Sequence, residues 1–330
     1  MYFFSFIYYI SGIVFSALTN LKNTEQWGKT FLHELEEKFG GKFDNAIIEK
    51  VAKYQSIQLH YVANAFSKLN GRLNNEIEKE RNILFFLMSV LYDEIIDEQK
   101  MDEESLDHLF NHPENANPTN FNEKILVYIH QRLLSEVDDK ESYWKSLQDT
   151  HQAQKDSKKQ FDSSTSIEDI LDITKRKGGH TLLMCRHYIN EPSNLQIDEC
   201  WYTLGGLIQM TNDLFDTYKD TMSGIDTFAT KIKNIESINT IYQEQAALLL
   251  SNIKILPFDK VKKTAFAINM SIIPAFGQIA INQLKQLPLN SNTLPNFKDV
   301  NRKDLIIDME KSINIIRLIR YAYKYGKLWM

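Results

Sequence analysis

The chain has 330 residues, of which 43% are hydrophobic and 25% charged, with 12 glycines and 7 prolines, a composition typical of a folded globular protein. Its net charge of −5 and sequence pI of about 5.9 argue against non-specific binding to nucleic acid. The two cysteines, Cys185 and Cys200, exclude a disulfide framework and a CxxC metal site, so a reducing cytoplasm is the expected location.

The first 21 residues carry no charged side chain and are rich in aromatic residues. They have neither the basic start nor the A-x-A-like end of a signal peptide. Their length just reaches that of a membrane-spanning helix, but serine, threonine and glycine interrupt the apolar run. We expect residues 1–20 to form an apolar helix that is buried, with peripheral membrane contact as the alternative. Residues 21–330 would then form one domain.

The remaining periodic segments predict helices. Apolar residues recur at three- and four-residue steps in 47–69, 126–137 and 241–255, which is the period of an amphipathic helix. Alternating strand-like runs joined by Asn-Gly or Asp-Gly turns are missing. Pro274 lies inside the apolar run 265–281 and predicts a kink there. The sequence therefore predicts one all-α domain of about ten helices.

Helix starts can also be identified locally. The run Ser164-Thr165-Ser166 before Ile167 indicates the start of a helix, because serine and threonine cap free backbone N–H groups. The sequence contains no P-loop, GxGxxG, HExxH or GxSxG motif. The chemistry must therefore be sought in other patterns.

Two acidic clusters, at 93–98 and 212–220, each follow an apolar run. Residues four apart share a helix face, so Asp93 and Asp97 are expected to point the same way. The same relation holds within the second cluster for Asn212, Asp216 and Asp220. Inward-facing carboxylates are costly unless they hold cations, and Mg²⁺ binds such ligands together with substrate phosphates. Two such helices facing across an apolar pocket would suit a diphosphate with a hydrocarbon tail.

The stretch 205–220 resembles the second metal-binding motif of the class I isoprenoid synthases. This superfamily includes trans-prenyl diphosphate synthases, squalene/phytoene synthases and class I terpene cyclases. Asp93 and Asp97 resemble its first aspartate-rich motif, in the DxxxD form. The resemblance implies an all-α barrel in which two metal-binding helices face each other across a central apolar cavity. Three patterns fit the second motif: Asn212, Asp216 and Asp220 match the cyclases; Gln209, Asn212, Asp216 and Asp220 match the squalene/phytoene synthases; Gly205, Gln209, Asp213 and Asp216 match the prenyl synthases.

Two basic segments fit the same superfamily. The stretch 175–182 resembles the helix that contacts diphosphate in prenyl synthases, and Arg320-Tyr321 resembles the Arg-Tyr pair of bacterial cyclases. The resemblance implies catalytic roles for Lys177, Arg320 and Tyr321. It also implies that the acidic motifs bind three Mg²⁺ ions together with a prenyl diphosphate substrate.

Departures from the family patterns separate the subfamilies. Chain-elongating prenyl synthases need an arginine pair soon after the first aspartate motif, where this chain continues with the acidic run 102–104. The Tyr-x-x-Val-Ala-Gly helix of squalene/phytoene synthases has no clear counterpart. A cyclase needs only one allylic diphosphate, so the sequence favours a Mg²⁺-dependent class I terpene synthase. A head-to-head prenyltransferase and an inactive helical relative are the alternatives, and homodimer formation stays open.

The helix that leads to the first motif predicts the depth of the substrate pocket. Ser89 lies one turn before Asp93, and Phe85 and Phe86 lie about two turns before it. Whichever phenylalanine shares the face of Asp93 would form the pocket floor, at a depth that suits roughly fifteen to twenty carbons. Gln209 is expected to line the pocket from the second motif.

Overall fold

The computed structural model describes residues 3–97, 103–113, 115–192 and 194–328. Its described side chains exclude those of residues 3–5, 7–9, 11, 13–19, 96–97, 103 and 106. These described ranges are 78% helical and contain no β-strand. The prediction of an all-α fold is therefore confirmed. The predicted apolar segment 1–20 lies largely outside the described side chains, and α1 continues without a break through residue 20.

The described ranges contain sixteen α-helices. They are α1 (Phe3–Phe39), α2 (Asn45–Gln58), α3 (Asn64–Leu69), α4 (Glu76–Asp97), α5 (Glu103–Asn111), α6 (Phe121–Glu136), α7 (Lys140–Asp156), α8 (Ile167–Arg186), α9 (Leu195–Phe215), α10 (Thr217–Ser223), α11 (Phe228–Lys231), α12 (Ile235–Ile255), α13 (Lys260–Met270), α14 (Ile272–Leu284), α15 (Arg302–Leu305) and α16 (Ser312–Leu328). A π-helical turn (Leu59–Ala63) joins α2 to α3. The number exceeds the expected ten because several long runs are interrupted and because some helices are very short.

One interruption has a local cause. The apolar run 265–281 breaks at Ser271, between α13 and α14. Proline lacks a backbone N–H, and its ring clashes with the carbonyl four residues earlier. For Pro274 that residue is Met270, the last residue of α13, so the predicted kink is confirmed. The run Lys260–Leu284 is long and apolar enough to cross a membrane, but 67% of its most apolar window is buried, as in the core helix of a folded domain.

The chain divides into two compact units. The first unit comprises Met1–Ser11, Asp149–Met184 and Pro192–Met330, and the second comprises Gly12–Gln148 and Cys185–Glu191. Asp93 and Asp97 belong to the second unit, whereas the other acidic motif belongs to the first. The expectation that the two motifs line one cavity therefore stays a prediction.

Helix α9 is the central helix of the first unit. It packs against α12 and α14, and α14 packs against α16. Its fully buried apolar side chains recur at three- and four-residue steps, at Trp201, Leu204, Leu207, Met210 and Leu214. Two polar contacts from α12 fix it further: the Tyr242 hydroxyl lies 2.8 Å from Thr211 Oγ1, and Gln245 Nε2 donates to the Thr203 carbonyl at 3.1 Å. These two bonds attach one side of α9 to α12, and the polar residues of α9 lie on the opposite side.

In the second unit, α4 packs against α2 and α6. A polar turn joins α3 to α4, where the Asn74 N–H donates to Asn64 Oδ1 at 3.0 Å and Ser67 Oγ donates to Asn74 Oδ1 at 2.7 Å. These bonds fix the turn between α3 and α4, and α4 packs back against α2. The first acidic motif thus lies at the end of α4 distant from this turn.

Candidate functional site

Helices α8 and α9 touch backbone to backbone at two glycines. A Cβ atom placed on Gly205 would lie 2.2 Å from the Gly178 carbonyl oxygen, and one placed on Gly178 would lie 2.3 Å from the Gly205 carbonyl oxygen. Only residues without a side chain allow this approach. The close crossing brings the predicted residue Gln209 against α8, since a Cβ atom on Gly178 would lie 2.5 Å from Gln209 Cβ. The predicted residue Lys177 directly precedes Gly178.

Asp213 is the best-anchored carboxylate at this crossing. It is 4% exposed and accepts hydrogen bonds from Gln209 Nε2 at 2.9 Å and from Thr174 Oγ1 at 3.1 Å. Burial raises the pKa of Asp213 from its usual 3.8 to about 6, the Asp216 charge adds to the rise, and the two hydrogen bonds and Lys177 oppose it. Asp213 is therefore held in one orientation and would gain from a nearby cation.

Asp220 extends the same acidic cluster. It is 8% exposed, and its pKa is raised to about 7, first by burial and then by the negative charges of Asp213 and Asp216, while Lys219 and Lys177 lower it. Negative charges that raise the pKa of a neighbouring buried carboxyl group are the electrostatic signature of a site that favours a positive ion. The three aspartates thus form one electrostatic unit.

Helix geometry places Asn212 at one edge of this unit. At about 100° per residue, Gln209, Asp213, Asp216 and Asp220 fall within an arc of about 60°, and Asn212 lies about 40° beyond Asp216 and about 100° from Asp213. Although α9 ends at Phe215, the N–H groups of Asp216 and Asp220 each bond the carbonyl four residues earlier, at 2.8 Å, so the spacing continues. Asn212 and Asp216 are exposed, and Asp213 and Asp220 are buried. The ligand role of Asn212 stays a prediction.

The basic run 175–177 on α8 is divided between two environments. Arg176 pairs with acidic residues, with Nη1 at 2.9 Å from Asp156 Oδ2 and Nε at 2.6 Å from Asp172 Oδ2. Lys177 instead lies close enough for its charge to lower the pKa of both buried aspartates. The structure therefore brings Lys177 together with four side chains of the second motif: Gln209, Asp213, Asp216 and Asp220.

The other predicted catalytic residues lie on α16. Arg320 is exposed. The Tyr321 hydroxyl accepts a hydrogen bond from Asn282 Nδ2 at 2.6 Å, which ties it to α14. Lys177 and Lys219 supply the positive charges that lower the pKa values in the acidic cluster. The catalytic roles of Arg320 and Tyr321 therefore stay predictions.

On α4, the structure distinguishes the two phenylalanines. Phe85 is 1% exposed, and its ring centroid lies 5.2 Å from that of Tyr188, so it packs in the core of the second unit. Phe86, Ser89 and Asp93 are all partly exposed and, at steps of three and four residues, share one face. Phe86 is therefore the candidate pocket floor. The side chain of Asp97 lies outside the described side chains.

The acidic cluster fits Mg²⁺ as a partial site. Across the described residues, no three carboxylate, imidazole or thiol side chains form a complete metal-binding group. Mg²⁺ commonly uses one or two carboxylates, with water and substrate phosphates as the other ligands. Asp213 and Asp220 offer that number of buried carboxylates, and their mutual repulsion would be relieved by a cation.

Among the sequence patterns, Asp213 occurs only in the prenyl synthase pattern, and Thr174 occurs in none of them. Both residues follow helical spacing, since Asp213 comes four residues after Gln209 and Thr174 comes three residues before Lys177. A helical projection of α8 and α9 would have placed them beside the predicted residues. It could not have shown that the two helices meet at these faces.

Known proteins do not identify the chain. Comparisons with protein-family models, with curated proteins and with solved structures give no match. A function must therefore be argued from the residues at the α8–α9 crossing and on α4.

Proposed function

We propose that this protein is a Mg²⁺-dependent enzyme of the class I isoprenoid synthase type that ionises an allylic prenyl diphosphate. The observation that carries the proposal is the buried acidic cluster of Asp213 and Asp220 beside Lys177. This cluster combines oxygen ligands for a hard cation with a positive charge for a departing diphosphate. The all-α fold agrees with the proposal but is shared with many other functions.

Each residue of the crossing has a role in this proposal. Gln209 and Thr174 hold the Asp213 carboxylate in a fixed orientation, so the site needs little reorganisation when charge develops. Lys177 supplies positive charge beside the leaving diphosphate. Mg²⁺, held by Asp213, Asp216 and Asp220, would neutralise charge on the bridging oxygen.

The other residues named by the resemblance keep their predicted roles. Asp93 and Asp97 remain predicted Mg²⁺ ligands, and Arg320 and Tyr321 remain predicted contacts of the diphosphate. Phe86 would line the apolar pocket and stabilise an allylic cation through its ring face. Exclusion of water from that pocket would protect the cation from premature hydrolysis.

The fate of the allylic cation defines two candidate reactions. The first is formation of a terpene from one substrate molecule, as in a class I terpene synthase. The second is prenyl transfer to an acceptor, and one observation favours it: Asp213 of the prenyl synthase pattern is buried and accepts a hydrogen bond from Gln209, whereas Asn212 of the cyclase pattern is exposed. For the head-to-head form of this reaction, the acceptor is a second prenyl diphosphate.

The test is incubation of the full chain with geranyl, farnesyl, geranylgeranyl and longer diphosphates, with and without Mg²⁺. We expect Mg²⁺-dependent pyrophosphate release that is lost in Asp213→Asn and strongly reduced in Lys177→Met and Asp93→Ala. Asp172→Asn, an exposed position on α8, is the matched control and should retain activity. Products with the carbon number of one substrate indicate a cyclase, and products with that of two indicate a transferase. Folded protein that releases no pyrophosphate from any of these substrates would refute the proposal.

A further inference from the structure

Helix α16 exposes isoleucines near its start. Ile313 and Ile316 are 52% and 61% exposed, and their three-residue spacing places them on one face. Ile315 is 45% exposed as well, but it lies about 160° around the helix from Ile313 and outside this face. A single exposed isoleucine needs no explanation, but several on one helix indicate a contact surface.

Basic side chains continue the same face toward the end of the helix. At about 100° per residue, Ile313, Ile316 and four basic residues fall within an arc of about 100°. The basic residues are Arg317, Arg320, Lys324 and Lys327. Residues 312–328 include no aspartate or glutamate, although the whole chain has a net charge of −5. The nearest acidic side chains in sequence, Asp308 and Glu310, precede the helix, and Asp308 lies 3.9 Å from Lys311. The positive charge of α16 is therefore not balanced within the helix.

The opposite face of α16 is fixed to the first unit. Ala322 and Tyr325 are buried there, and α16 packs against α13 and α14. The start of the chain packs on the same helix, because the Phe6 ring lies 5.1 Å from the Tyr323 ring, and a Cβ on Gly326 would lie 2.6 Å from the Phe6 ring. The uncharged first segment of the chain and the basic helix are thus neighbours.

We propose that the exposed face of α16, comprising Ile313, Ile316, Arg317, Lys324 and Lys327, docks on an anionic lipid bilayer. The isoleucines would enter the boundary between headgroups and acyl chains, and the basic groups would pair with lipid phosphates. A second copy of this face is a poor partner, because a two-fold contact would place basic residues near basic residues. The inference goes beyond the proposed function and does not depend on catalysis.

The test is flotation of the full chain with phosphatidylcholine vesicles, with and without phosphatidylglycerol. We expect binding to the anionic vesicles only, and binding that weakens as salt is added. Lys324→Gln with Lys327→Gln should weaken binding about thirtyfold, since each basic residue near the surface contributes about fivefold. The double variant Ile313→Ser with Ile316→Ser should also weaken binding to the anionic vesicles, and this loss should remain at low salt. Lys50→Gln with Lys53→Gln, which removes two exposed lysines of α2, is the control with the same change in charge.

Three results would overturn the inference. Equal binding to neutral and anionic vesicles would remove the electrostatic part, and equal losses in the α16 and α2 lysine variants would show that no particular face is involved. A dimer in sedimentation experiments that Ile313→Ser with Ile316→Ser converts to a monomer would assign the face to a second copy. Thermal unfolding of each variant checks its fold, and we expect little change because all four substituted α16 side chains are exposed.

Discussion

Replacing Gly205 with alanine tests the close crossing of α8 and α9. The new methyl group would lie 2.2 Å from the Gly178 carbonyl oxygen and 2.7 Å from Leu182 Cβ, where ordinary contacts begin at 3.4 Å. Neither neighbour is the flexible end of a side chain, so the helices themselves must separate. Overpacking costs about 1–3 kcal/mol, and alanine returns about 1 kcal/mol of helix propensity. We expect the free energy of unfolding to fall by up to about 2 kcal/mol.

The matched control is Gly206→Ala, one residue further along α9. Its methyl group would lie 3.1 Å from Gln245 Nε2, a side-chain end that can move, and 3.5 Å from the Lys175 carbonyl oxygen. The gain in helix propensity is the same, so this variant should be as stable as the parent or slightly more stable. Urea unfolding followed by far-UV circular dichroism measures both variants. Equal stability of the two variants would refute the close crossing.

Three further predictions follow from single features. The pKa values of Asp213 and Asp220 are raised from 3.8 to about 6 and about 7, so the folded state holds extra protons between about pH 4 and 7. The stability that these groups contribute is therefore complete below pH 4 and is lost as the pH rises through 6–7. Asp220→Asn should flatten the dependence of the free energy of unfolding on pH, measured by urea titrations, and an unchanged dependence would contradict the burial of Asp220. Phe85→Ala should lower the free energy of unfolding by about 3–5 kcal/mol, whereas Phe86→Ala should shift substrate preference toward longer prenyl diphosphates; a reversal of these outcomes would exchange the two roles. Gly224→Ala should lower stability by about 1 kcal/mol in thermal unfolding, because Gly224 ends α10 with a φ of +70°, and an unchanged melting temperature would count against that turn.

Local sequence determined the helical class and several helix ends. The three- and four-residue period of apolar side chains sets the preference for helix wherever it occurs. Ser166 begins α8 as its sequence context predicts, since its Oγ accepts the Asp169 N–H at 3.0 Å. Pro274 ends α13 for a steric reason that involves only four residues. These features depend on neighbours in the chain, so the sequence alone predicts them.

Tertiary structure decided which side chains of a predicted motif are buried together. Asn212 and Asp213 are adjacent in sequence, yet Asn212 is exposed and Asp213 is 4% exposed at the α8–α9 crossing. On α4, Phe85 is buried and its neighbour Phe86 is partly exposed. Adjacent helical residues point about 100° apart, and the packing of distant helices determines which direction is inside. Spacing therefore predicts which residues share a face, but only the contact at Gly178 and Gly205 shows which face is buried.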